Sequence, residues 1–100
     1  MNVKPILKIE KQWYEGGNLH NANVFQWKNA EYENKLATSA DMAANHPAIS
    51  EKLSKTKNIE NLKPYAVDLL ICIEEASFGK GYESMKISEI AAGCMILMKF

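Results

Sequence analysis

Apolar side chains recur along most of this chain at separations of three, four and seven residues, which is the spacing of one helix face. From Val24 onward, Phe25, Tyr32, Leu36, Ala40 and Ala43 form such a stripe, and Trp27, Ala30 and Ala37 widen it. Asn23 stands three residues before Gln26, the arrangement of a capping box. At the far end His46-Pro47 is a stop, because proline disfavours helical backbone in the residue before it. The spacing therefore predicts one helix over 24–45.

The following stretch predicts a short helix over 48–57, with Ile49 and Leu53 turned inward. Asn61 offers a cap for the next helix, expected over 62–77, and Pro64 is tolerated in its first turn, where an amide hydrogen would have no partner. That helix is apolar on more than one side, from Leu62 through Ile73, as expected of a central helix with two neighbours. A turn at 77–81 leads to a last helix over 85–98, with Ile87, Ile90, Ala91, Cys94, Leu97 and Met98 on one face. The final apolar residues of that helix need cover from the rest of the domain or from a partner.

Ahead of these helices, Gly16-Gly17 marks a turn. Residues 1–17 read as an N-terminal arm, extended or irregular, with Val3, Ile6 and Ile9 apolar and Trp13 available for packing. The short apolar pieces at 69–73 and 94–98 also suit strands, but Ala66, Ala91 and Ala92 and the 3.6-residue period favour helix. The expected fold is mainly α: a small compact antiparallel bundle of three main helices plus a short one, forming a single domain over 1–100.

Composition narrows the functional classes. With 47% apolar and 24% charged residues the chain falls in the globular range. Twelve basic residues balance twelve acidic ones, for a formal net charge of zero. Every basic residue other than the histidines is lysine; arginine, the usual bidentate reader of guanine, is missing. Lys52, Lys55, Lys57 and Lys63 make only a loose basic stretch interrupted by Glu60, so the sequence argues against a nucleic-acid partner. The richest apolar runs, AVDLLICI and IAAGCMILM, are too short to span a bilayer as helices. The N-terminal apolar patch is cut by Lys8 and does not read as a secretory leader.

Candidate chemistry is sparse. Cys72 and Cys94 fall on apolar helix faces, the ordinary place of buried thiols, and two antiparallel helices would also allow them to bond. Free thiols would suit the cytoplasm, and a bridge a periplasmic or secreted protein whose leader had been removed. His20 and His46 flank the expected first helix and are too far apart for one metal site if that helix is straight. His46 reads as a helix C-terminal residue and Asp41 as a hydrogen-bonded structural acid. Glu74 and Glu75 diverge by about 100° on a helix. Neither a GxSxG elbow nor a phosphate loop occurs, and no metal, cofactor or catalytic set is indicated.

What remains is an abundance of aromatics. The core reading takes Phe25, Tyr32 and Tyr65, which leaves Trp13, Tyr14 and Trp27 as candidates for a partly exposed interaction surface. NKLATSAD and SEIAAGCMILM resemble stretches of small bacterial or phage proteins, a resemblance to which no activity attaches. The functional expectation is a non-enzymatic domain that binds another protein or itself. The rival is an enzyme or ligand-binding protein with a polar pocket assembled from distant residues such as Asp41, His46 and Glu74.

Overall fold

Asn23 starts the first helix through the expected capping box, its side chain accepting from the Gln26 amide while Gln26 accepts from the Asn23 amide, each at 2.9 Å. The computed structural model describes residues 11–79 and 81–98; Val3, Ile6 and Ile9, and with them the first part of the expected arm, lie outside the described residues. Helix α1 covers only Val24–Lys28. The single helix expected over 24–45 is broken at 29–31, and α2 begins afresh at Tyr32–Ala44. At the end of α1 the Phe25 carbonyl accepts both the Asn29 backbone amide, at 3.3 Å, and the Asn29 side-chain amide, at 2.8 Å, and the next amide, that of Ala30, turns to the Trp27 carbonyl at 3.0 Å.

The break changes which residues face inward. Val24 and Trp27 are buried, whereas Phe25 is 61% and Tyr32 56% exposed, so both leave the core expected for them. A stripe drawn across 25 and 32 requires one continuous helical phase, and the phase is lost at 29–31. Within α2 alone the stripe holds, and Leu36, Ala37, Ala40 and Ala43 are buried.

His46 also differs from expectation. It opens α3, Pro47–Thr56, with Nδ1 accepting from the Ala48 amide at 3.2 Å, and does not close the preceding helix as a dipole partner. Pro47 fits the first position of a helix because it has no amide hydrogen to lose. Lys57, with φ 54°, terminates α3. Asn58 then starts a 3-10 turn, Ile59–Leu62, by accepting from the Glu60 amide, so the cap expected at Asn61 sits three residues earlier. The turn runs into α4, Lys63–Ala76, and after the loop comes α5, Ile87–Met98.

Helix α4 is central, with α2 on one side and α5 on the other. Lys35, early in α2, reaches Glu74, late in α4, at 2.7 Å, which sets those helices antiparallel. Leu69 and Ile73 of α4 are fully buried together with Val24, Trp27, Ile49 and Ile87. Cys72 and Cys94 tie α4 to α5 by a disulfide with Cα atoms 6.0 Å apart. No strand occurs among the described residues.

The described end of the arm lies across α2. A side chain at Gly17 would place its Cβ 2.5 to 2.8 Å from the backbone of Ala37 and Thr38, so only glycine permits this approach. Three polar pairs continue the contact. Asn18 and Asn34 exchange two hydrogen bonds, the Leu19 amide donates to Thr38 Oγ1 at 3.2 Å, and His20 Nε2 lies 2.9 Å from Asp41 Oδ2. Residues 34, 38 and 41 share one face of α2, so that face serves as a polar rail for the arm. Further on, residues 22–25 are joined to 83–87 through Val24 N to Met85 O, Ile87 N to Ala22 O and Phe25 N to Glu83 O.

Candidate functional site: the exposed edge of α4 and α5

Helix α5 is apolar nearly all the way round; Ser88 and Glu89 are its only polar residues. Its inward face consists of Ile87, Ala91 and Cys94, at separations of four and three, and packs on α4. The opposite face carries Glu89, Ala92, Gly93, Ile96 and Leu97, all exposed, with Ile96 77% and Leu97 76% open to solvent. Among the described residues, neither the rest of the domain nor the disulfide covers this stripe.

Between the two helices and the preceding loop lies an open groove of about 510 Å³. Tyr82 and Met85 of the loop form one wall, Ile90 and Ile96 of α5 the other, and Cys72 and Ala76 of α4 the floor. Glu89 is the one charged residue on its lining. A second depression, on the far side of Cys72, is bordered by Ile71 and Met98 together with the charged Lys52, Asp68 and Glu75, so the apolar edge does not continue around α4. Phe78 stands at the loop end beside Gly79, where a Cβ would meet the Tyr82 ring at 3.7 Å. Such an edge offers chiefly dispersion and burial.

The residues singled out from the sequence lie elsewhere. Trp27 is 0% exposed: its indole N–H donates to Glu74 Oε2 at 3.0 Å, and Lys35 Nζ sits 5.8 Å from its ring centroid. The partial exposure expected of Trp27 is therefore corrected, because the break after α1 turns this face toward α2 and α4. Trp13 and Tyr14 are half-buried and meet edge to face at 5.4 Å. Trp13 donates to Glu60 Oε2 at 3.1 Å, with Lys63 Nζ 5.4 Å from its ring, which fixes the arm against the 3-10 turn and the first residues of α4. Neither aromatic borders the α5 groove.

Asp41, His46 and Glu74 do not form a common site. Asp41 pairs with His20, His46 caps α3, and Glu74 is held by Trp27 and Lys35 at the other end of α2. Among the described residues no group of three or more His, Cys, Asp or Glu is placed to hold a metal ion. No helix among them is long and apolar enough to cross a membrane. The sulfurs expected as buried thiols, with a bridge as the alternative, are bonded; Cys94 is buried and Cys72 half-buried at the groove floor.

The sequence signal for the α5 edge is present but not decisive. A helix apolar on all sides has either two neighbours or one neighbour and an open face, and α4 and α5 share that pattern. Compared with known protein families, curated proteins and solved structures, the chain matches none.

Proposed function

We propose that this domain is a protein-interaction module that docks through the α4–α5 edge. The observation that supports this reading is the exposure of Ile96 and Leu97 beside an apolar groove, on a helix that packs principally against a single neighbour. Isolated exposed apolar residues are ordinary, whereas a continuous apolar ridge and groove is characteristic of binding surfaces. A photo-crosslinking residue placed at Leu97 should yield discrete protein adducts in an extract of the native cells. The same residue at Tyr32, which is also exposed but lies on α2, should yield none. Equal labelling from both positions, or none from either, would remove the support for a specific interface.

A further inference from the structure

We propose that the Cys72–Cys94 bridge is a redox gate on the α4–α5 edge: it opens at Cys72, and its opening releases the last turn of α5, which carries Ile96 and Leu97. This rests on the interaction reading above and names the regulation of that surface.

The two halves of α5 are held by different means. The first half is anchored by Ile87 and Ala91, both buried, and by the Ile87 amide, which donates to the Ala22 carbonyl at 2.9 Å. None of these contacts involves sulfur. Cys94 is the last buried residue of the helix among those described, and it is the one bonded to α4. Beyond it Met95 and Met98 are only half-buried, while Ile96 and Leu97 are exposed. Between the two anchors sits Gly93, the weakest helix former in α5, because glycine gives up the most backbone freedom on becoming helical. A Cβ at this position meets nothing within 4 Å, so packing does not require the glycine. Once the bridge is open, the helix is weakest at Gly93, and the residues beyond it have little buried surface to hold them. Ile96 and Leu97 line the groove, so their release dismantles its wall.

Access decides where the bridge opens. Cys72 is half-buried and borders both the groove and the depression beside Lys52 and Tyr65, whereas Cys94 is 3% exposed and borders the groove alone. A thiolate of a dithiol reductant attacks the more accessible sulfur, that of Cys72. A bond forms between the reductant and Cys72, the Cys72–Cys94 bond breaks, and its electron pair leaves on Cys94, which takes a proton from solvent. The reductant's second thiol then loses its proton and attacks the reductant's own sulfur in the mixed disulfide. Cys72 leaves as a thiolate and is protonated in turn. The protein is thereby reduced to a pair of thiols and the reductant oxidised to a disulfide.

Amide hydrogen exchange of the full chain, oxidised and reduced, read at residues 90–92 and 95–98, tests the release. On reduction, exchange at 95–98 should accelerate at least about ten-fold more than at 90–92, and reoxidation should reverse it. Gly93→Ala should cut that excess about five-fold by strengthening the helix where it gives way. Brief treatment of the oxidised protein with glutathione, quenched with acid, should place the adduct on Cys72 in peptide mass spectra. Photo-crosslinked adducts from Leu97 should fall at least about ten-fold in C72S/C94S, in proportion to the lost turn. Equal acceleration along both halves of α5, or none, overturns the inference, as does glutathione found on Cys94 and not on Cys72. Adducts from Leu97 that are as abundant without the bridge as with it overturn the gate even where the turn is released. Release of the turn with no adduct from either protein is the distinct case in which the interaction reading falls and the redox release of α5 stands.

Discussion

Removing the bond between Cys72 and Cys94, by reduction or by the double change C72S/C94S, should weaken the fold without dissolving it. The bond closes a loop across a sequence separation of 22 residues. Loop-closure entropy for that length corresponds to about 3.4 kcal/mol at 25 °C. Against a total stability of roughly 5–15 kcal/mol for a domain of this size, that is a large fraction. At about 4–8 °C per kcal/mol, Tm should fall by roughly 15–25 °C. The helices should nevertheless form in the unbridged protein, because Ile87 and Ala91 remain buried and the backbone bonds of Met85 and Ile87 to residues 22–24 are independent of sulfur. The assay is urea unfolding followed by far-ultraviolet dichroism, comparing oxidised wild type with reduced wild type and with C72S/C94S. Oxidised protein unfolded without reductant should show no titratable thiol, and two after reduction. Two thiols at the outset would refute the bridge itself. A stability difference below about 1 kcal/mol, with the slope against denaturant unchanged, would refute the loop-entropy reasoning.

Two further outcomes follow from the packing. Gly17→Ala drives a methyl group into the backbone of Ala37 and Thr38, and should cost about 1–3 kcal/mol in denaturant unfolding; a neutral result would mean that the arm does not lie on α2. Trp27→Phe removes the hydrogen bond to Glu74 and leaves a small void, for a loss of about 2–3 kcal/mol; a stability change within experimental error would place Trp27 outside the core.

The elements that sequence periodicity located well are those set by local chemistry. The capping box at Asn23 and Gln26 starts α1, and Pro47 opens α3. The buried stripe of α2 from Leu36 to Ala43 follows the 3.6-residue period within a single helix. Failures begin where one residue has two local options. Asn29 is compatible with helix continuation, yet the amide of Ala30 after it bonds Trp27 three residues back and α1 ends there. That break exchanges the environments of Phe25 and Trp27, so the residue expected in the core is exposed and the candidate for exposure is buried. The polar pairs of Asn18, Leu19 and His20 with α2 span 16 to 21 residues and leave no periodic trace. The open face of α5 is hidden for another reason. Its composition says how much apolar surface needs cover, while only the topology says that a single helix supplies it.

The joining of residues 22–25 to 83–87 has a consequence in time. Helix α1 is made before its backbone partners Glu83 and Met85, which follow roughly 60 residues later. At about 5–20 residues per second, the capped first turn must wait roughly 3–12 s on the ribosome before it has anything to dock against. The α2 to α4 region brings together segments closer in sequence and meets no such delay, so it should organise first. Val24 and Ile87, though fully buried in the finished molecule, are then latecomers to folding: truncating them should speed unfolding far more than it slows refolding.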